Sequence, residues 1–201
     1  GSGKGTQAKK VSEKFGFFHF MTSAVGKEYI KNHNDEDTKK QMGNYQKGVL
    51  FDPPWLLMVV KEKTQELFDE GKGIVFDGSP RTLYEVEGLY PFLEDLFDKE
   101  NIKIIEIKVS EEEIKRRLKK RLICSVNHAH VFVRSDDLKE GDNCLYNDKG
   151  TLGKRDLDAE ELFETRMNEY KNKTLLGLEF LKKHHKVIEI NGEGSIDEVY
   201  G

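Results

Sequence analysis

Four short apolar runs punctuate this chain, at residues 17–21, 73–77, 102–109 and 186–190. Each has the length of a β-strand. The clearest, Gly73-Ile74-Val75-Phe76-Asp77, is apolar without alternation, as a strand covered on both faces must be. Between the runs lie stretches with apolar residues at helical spacing, such as Leu56, Val59, Val60 and Leu67. Strands alternating with helices predict an α/β fold, a parallel sheet with helices on both faces. A chain of 201 residues suits one sizeable domain, or one domain carrying inserted lobes.

Local signals set the expected boundaries. The first helix runs from Lys4 to about Phe15 and stops at Gly16. Thr22 or Ser23 caps a second helix with Val25, Tyr29 and Ile30 on one side, and residues 32–37 form a polar break. A weakly apolar third helix spans 38–47. Asp52-Pro53-Pro54 opens a long fourth helix, with prolines in its first turn. Leu83 to about Asp98 is amphipathic and contains Pro91. Ser110 with Glu113 forms a capping box for a helix reaching Arg121. Leu157 to about His184 is a further long helix, and Ser195 starts a last one. Residues 122–154 lack helical periodicity, are rich in Asn, Asp and Gly, and hold both cysteines. They read as a small inserted β-rich lobe.

Composition excludes several classes. Charged residues make up 35% and hydrophobic residues 36%, which fits a soluble globular protein. No apolar run approaches the ~18 residues of a membrane span, and no signal peptide is visible. The net charge of −4 and the lack of a long basic block argue against nucleic acid as a partner. The 33 lysines and arginines can still gather in one cleft, which is what an anionic substrate requires. Two cysteines make no disulfide framework and fit a reducing, cytoplasmic setting.

In parallel α/β sheets, ligands bind beyond the carboxyl ends of the strands. Gly1-Ser2-Gly3-Lys4-Gly5-Thr6 reads as the second half of a phosphate-binding loop running into a helix, with Gly5 between the lysine and the hydroxyl. Small residues let backbone N–H groups close on phosphate oxygens, and the helix N-terminus adds its dipole. The rival reading of Gly1-Ser2 is an expression scar. Asp77 ends a strand and is followed by Gly78-Ser79-Pro80-Arg81-Thr82. A strand-terminal aspartate can hold Mg²⁺ through water, and an arginine nearby can grip a phosphate with two N–H groups. Arg117 and Arg121 precede the inserted lobe, and Arg155 and Arg166 follow it. A lone arginine is an ordinary solvated residue, and Asp-Gly an ordinary turn. Four arginines bracketing one lobe, together with a phosphate loop, are the positive charge that phosphoryl transfer needs.

Taken together, Gly3-Lys4-Gly5-Thr6-Gln7, Asp77-Gly78-Ser79-Pro80-Arg81-Thr82, Arg117 with Arg121, Arg155 with Asp158, and Arg166 resemble the adenylate kinases of the long-lid type. The resemblance covers essentially the whole chain. It implies a P-loop kinase fold over 1–201, built on a central five-stranded parallel sheet. A helical lobe for the nucleoside monophosphate (22–51) and a lid (122–154) would be inserted in it. It places the loop's leading glycine and a central strand of about five residues upstream of Gly1. The implied reaction is reversible, Mg²⁺-dependent phosphoryl transfer from ATP to a nucleoside monophosphate, most naturally AMP, by a monomer. Lys4 would sit on the β- and γ-phosphates, within a loop made by Gly1, Ser2, Gly3, Gly5 and Thr6. Asp77 would hold Mg²⁺ through water. Arg121, Arg155 and Arg166 would stabilise the transferring group. Arg117 and Gly194 would meet the donor adenine. Thr22, Lys27, Phe51, Gly78, Arg81 and Glu85 would surround the monophosphate, with Arg155 and Arg166 also reaching it. Asp158 would orient the lid arginines.

The chain departs from this family in several places. Lys27 stands for an arginine and loses its bidentate fork. Ser79 replaces a phenylalanine, Met21-Thr22-Ser23-Ala24 replaces Ser-Thr-Gly-Asp, and Leu157 replaces one of two adjacent acids. Glu85 takes the place of a glutamine that reads adenine. An ionised carboxylate only accepts hydrogen bonds and matches the donors of guanine better. The other reading is a solvated helix residue. The alternatives to an AMP kinase are therefore a kinase for GMP, CMP or UMP, or a nucleotide-binding module with weak catalysis.

Some lids of this family are pinned by zinc through paired cysteines. Cys124 and Cys144 match the first ligand of each pair, while Asn127 and Asn147 hold the second positions. One residue further on lie His128 and Asp148, so a tetrahedral Cys124, His128, Cys144, Asp148 zinc site is one expectation, with His130 as substitute for His128. The other is a lid held by hydrogen bonds around two thiols. His19 reads as a core residue, His33 as a loop residue, and His184 and His185 as partners of a helix C-terminal dipole. Trp55, Phe17 and Phe18 read as core.

Overall fold

The computed structural model describes residues 2–33, 35–127, 130–146, 149–154 and 158–201. Helix α1 (Lys4–Phe15) leads to strand β1 (Phe18–Met21), then α2 (Thr22–Asn32), α3 (Glu36–Gln46) and α4 (Pro53–Asp69). Strand β2 (Ile74–Asp77) returns beside β1, followed by α5 (Leu83–Phe97), β3 (Ile104–Lys108) and α6 (Glu111–Lys120). Next come β4 (Arg121–Cys124), β5 (Val131–Val133) and β6 (Leu152–Gly153). Helices α7 (Glu160–Glu169) and α8 (Leu175–His184), strand β7 (Val187–Asn191) and α9 (Ile196–Tyr200) complete the order.

The fold is α/β, as the alternation predicts. The four core strands are parallel and pair two by two. β1 lies on β2, with His19 opposite Val75 and Met21 opposite Asp77, and β3 lies on β7. Parallel pairing fits the long connections, since α2 to α4 lie between β1 and β2, and α6 to α8 with the β4–β6 sheet lie between β3 and β7. The inserted stretch makes a different sheet. There β4 pairs antiparallel with β5 and β6, in the order β5-β4-β6.

The main core forms around Phe20, which is fully buried, with Leu56, Val59, Val60 and Leu67 of α4 and Leu89 of α5. The helical spacing seen in the sequence thus becomes one buried stripe, each such side chain worth about 1.5–3 kcal/mol of burial. Val86, Tyr90 and Leu181 fasten α5 and α8 near the β3–β7 pair. A separate small core of Leu122, Cys124, Cys144 and Leu152 holds the inserted sheet.

Several local expectations change. Helix α3 starts at Glu36, because Asp35 accepts a hydrogen bond from the Thr38 N–H and caps it. Ser110 does cap α6, but Glu113 turns to Arg116 and Arg117, and the Ser110 N–H donates to Glu193 instead. The full capping box lies at Ser195 and Glu198. The long helix expected from Leu157 carries a five-residue π-helical segment, Tyr170–Thr174, between α7 and α8. Phe17 is 41% exposed and stacks on Phe15, outside the core assigned to it. His185 packs on the Tyr90 ring, and burial lowers its pKa, which disfavours a cation at the helix end. His33 sits at the end of α2 and stacks on Tyr29, while Trp55 packs against the core.

Candidate active site

Helix α1 begins right at the glycine-rich stretch. Gly3 is its N-cap, in a left-handed conformation, and no side chain caps that end. A helix end of this kind presents amides and a positive dipole, the environment an anion needs. Lys4, the first residue of α1, donates to Asp77 Oδ1 at 2.8 Å. Asp77 is the last residue of β2, so the ion pair ties the N-terminus of α1 to the carboxyl end of the core ladder. The approach is close. A Cβ on Gly5 would lie 2.8 Å from Asp77 Oδ2, so a larger residue would push the carboxylate away.

The charges here are perturbed in the directions expected of a poised site. Burial alone pushes Asp77 up, but the nearby His19 ring and the charge of Lys4 outweigh it and hold the carboxyl far below the ordinary range. Half of the Lys4 side chain is exposed, yet its ammonium is turned inward against Asp77. Desolvation lowers its pKa; Asp77 opposes that, while the positive charges of Arg81 and Arg166 add to it. Those two arginines therefore share the neighbourhood of Lys4.

The turn after β2 is tight. Arg81 Nε donates to the Gly78 carbonyl at 2.7 Å. Gly78 has φ +107°, and a Cβ there would come within 2.5 Å of Arg81 Nη2, so only glycine fits. The Thr22 hydroxyl lies 3.2 Å from the Asp77 carbonyl and 3.1 Å from the Ser79 hydroxyl, tying the start of α2 to the same turn. Thr82 caps α5 by accepting from the Glu85 N–H. The Glu85 carboxylate turns back to accept from the Arg81 N–H at 3.1 Å and the Thr82 hydroxyl at 3.0 Å. At 2% exposure, Glu85 is not a solvated helix residue, and burial raises its pKa against those hydrogen bonds.

Asp158 gathers the arginines after the turn. Arg121 Nε donates to Asp158 Oδ2 at 2.7 Å, its Nη2 reaches Oδ1, and Arg166 Nη1 lies 3.4 Å from Oδ1. The Asp158 side chain is only 4% exposed, so a nearly buried carboxylate holds two guanidinium groups. Arg117 donates to the Gly192 carbonyl at 2.6 Å and lies 3.5 Å from that of Gly194, so α6 meets the loop after β7. A Cβ on Gly3 would be 3.7 Å from Arg117 Nη1, which sets this loop beside the start of α1.

Other expected residues stand slightly apart. Lys27 lies over the Tyr45 ring at 5.1 Å. Phe51 is buried, stacked with Tyr45 and pressed against Gly26, so its side chain serves the core. Ser2 precedes α1, and Gly5 and Thr6 lie in its first turn. Gly1 and Arg155 lie outside the described residues. Two residues that the sequence did not single out do join the site's frame. His19 lies 3.5 Å from Asp77 Oδ2, and the Glu169 carboxylate accepts from the Leu50 N–H, which links the end of α7 to the segment between α3 and α4. Strand register is the signal that would have found His19. A long-range contact such as that of Glu169 leaves no sequence trace.

In the inserted lobe Cys124, Cys144 and His130 bring two sulfurs and a ring nitrogen within 4.8 Å of one another. The Val126 and Asn127 amides each point at Cys124 Sγ from 3.4 Å, and His130 Nδ1 lies 3.6 Å from Cys144 Sγ. His128 and Asp148, the expected second ligands, and Leu157 and Asn147 lie outside the described residues. His130 is the histidine that the described residues bring to the thiols. Two soft sulfurs and an imidazole, with amides turned to one sulfur, fit a zinc-type ion.

The sequence profile of the family described as adenylate kinase matches residues 1–186. The chain belongs to the adenylate kinase family. The adenylate kinase of Methanothrix thermoacetophila is 31% identical over 204 residues, covering 100% of this chain and 91% of that protein. That of Methanocella arvoryzae is 34% identical over 199 residues, covering 99% and 90%. The adenylate kinase of a Clostridium botulinum strain is 32% identical over 203 residues, covering 100% and 91%. These matches account for the α/β core with its phosphate-type helix start. No described helix is long and apolar enough to cross a membrane.

Proposed function

We propose that the chain catalyses reversible transfer of a phosphoryl group from Mg²⁺-bound ATP to AMP, giving two molecules of ADP. The observation that carries this reading is the joint placement of Lys4 and Asp77 at the start of α1, with the charges of Arg81 and Arg166 acting on the same lysine. An enzyme that moves a phosphoryl group needs this concentration of positive charge, and little covalent chemistry of its own. The residues fit the nucleotide and its ion. The uncapped N-terminus of α1, the room kept by Gly5 and the ionised Asp77 form a cradle for phosphate beside an acid. Bound Mg²⁺ would supply charge neutralisation across the phosphates.

In this reading the protein's own groups divide the work. Lys4, with Gly1, Ser2, Gly3, Gly5 and Thr6, takes the donor phosphates, exchanging its Asp77 partner for them. Asp77 faces the ion's water shell. Arg121, Arg155 and Arg166 spread positive charge round the group in transit, and Asp158 holds two of them in place beforehand. Arg81 and Lys27 bind the acceptor phosphate, while Thr22, Phe51, Gly78 and Glu85 frame the acceptor site. Arg117 and Gly194 meet the donor base. Residues 22–51 and 122–154 act as two inserted lobes on the 1–201 core, closing over acceptor and donor and excluding water. We place the enzyme in the cytoplasm as a monomer without a nucleic-acid partner.

The lid reading is a structural zinc site on Cys124, Cys144 and His130, with Asp148 or His128 as candidates to complete it. Metal analysis of purified protein should find about one zinc per chain. Cys144→Ser should lose the metal and lower the thermal midpoint. Metal-free protein as isolated would remove the site.

Rates of ADP formation with AMP, GMP, CMP and UMP test the acceptor. AMP should be the best substrate. The Glu85 carboxylate is already engaged by the N-terminus of α5, so it is not displayed as a reader of guanine donors. GMP turning over faster than AMP would overturn this.

A further inference from the structure

His19 touches Asp77 and has no task in the reading above. It lies on β1, opposite Val75 on β2, and Val75 and Asp77 project from the same face of that strand. The parallel register therefore carries the His19 ring to Asp77 along a diagonal. Its Nε2 stands 3.5 Å from Oδ2, while Lys4 holds Oδ1 at 2.8 Å. The His19 side chain is 14% exposed, and its Nε2 is buried with no nearer hydrogen-bond partner. A buried ring nitrogen spends free energy unless something occupies it. In active sites such contacts are often long before substrate binds and tighten with it.

We propose that His19 is a positioning residue for Asp77: its Nε2–H donates to Oδ2, fixing the carboxylate so that Oδ1 faces the phosphate end of α1. This rests on the proposed role of Asp77 toward Mg²⁺. The division of labour follows from where each partner is anchored. Lys4 sits on a half-exposed side chain at a helix end and must leave Asp77 to take the phosphates. Asp77 would then be free to rotate. His19, on a strand hydrogen-bonded to that of Asp77, stays. The donor is present whether the ring is a neutral Nε2–H tautomer or a cation, so the role does not depend on titration of His19. The depression of the Asp77 pKa, to which His19 contributes alongside Lys4, accords with a bond to the ionised form.

The test compares His19→Leu, which keeps bulk and loses the donor, with His19→Gln, whose amide N–H can reach Oδ2. The readouts are kcat, the KM for AMP, the Mg²⁺ concentration giving half-maximal ADP formation, and the thermal midpoint. His19→Leu should raise the Mg²⁺ requirement or lower kcat by about tenfold or more, leaving the KM for AMP unchanged. His19→Gln should restore both. A purely structural histidine would lower the thermal midpoint in His19→Leu and leave both kcat and the Mg²⁺ profile alone, and that result overturns the proposal. So does a His19→Gln enzyme as impaired as His19→Leu. Should His19→Leu not fold, His19→Asn, whose shorter amide falls short of Oδ2, takes its place against His19→Gln with the same expectations. Wild-type protein that makes no ADP from ATP and AMP would instead overturn the functional reading itself.

Discussion

The turn between β2 and α5 has a carboxylate at each end, and the two are treated in opposite ways. Asp77, at the strand end, faces Lys4 and His19. Glu85, inside the first turn of α5, accepts from the Arg81 N–H and the Thr82 hydroxyl. Both are largely removed from water. For Asp77 the positive partners outweigh burial and the pKa falls; for Glu85 burial outweighs its hydrogen bonds and the charge of Arg81, and the pKa rises. The difference shows which end is built for charge. Asp77 stays ionised beside a lysine that can change partner. Glu85 spends its oxygens shaping the helix that carries the turn.

The largest effect should come from the two arginines that Asp158 holds. Arg166→Ala, or Arg121→Ala, should lower turnover by about a thousandfold or more, with a modest change in thermal midpoint. Near-normal turnover in both would show that the arginines on Asp158 do not serve the reaction.

Asp77→Asn comes next, with turnover reduced roughly 10- to 100-fold. It also carries a pH signature. A carboxyl whose folded pKa is depressed adds stability above its ordinary value of 3.8 and loses it as pH falls from there toward the folded value. Chemical denaturation at a series of pH values should show a weaker acid-side decline in Asp77→Asn than in wild type. Parallel curves would mean that Lys4 and His19 contribute nothing to Asp77.

Glu85→Gln should have the smallest effect and the opposite sign. A carboxyl with a raised folded pKa contributes stability that is present below its ordinary value of 4.5 and lost as pH rises through the folded value. The amide avoids that loss, so the variant should gain stability relative to wild type as pH rises toward neutrality. Its KM for AMP should stay near that of wild type. A marked change in acceptor preference would assign Glu85 to the base rather than to the cap.

The residues visible in the sequence were those with a local rule behind them. Apolar runs and spacing located the core strands and α4, and Gly3-Lys4 marked the start of α1. Asp77 and Arg81 could be named because a strand end followed by a tight turn is itself a pattern. What escaped depends on register or on distant partners. His19 looked like any core histidine, since only the offset between β1 and β2 brings it to Asp77. Glu193 took the Ser110 N–H from Glu113 because α6 and the loop after β7 meet in space. The π-helical segment between α7 and α8 follows no residue rule we can name. Around the β5-β4-β6 sheet, spacing offered His128 with His130 as its substitute; the chain's path brings His130 to Cys144, and His128 lies outside the described residues.

Phosphorus NMR of ADP incubated with Mg²⁺ and the wild-type protein tests the central claim most directly. ATP and AMP should appear together in equal amounts, with no inorganic phosphate, until the three nucleotides reach equilibrium. An unchanged ADP spectrum, or release of inorganic phosphate in place of ATP, would contradict it.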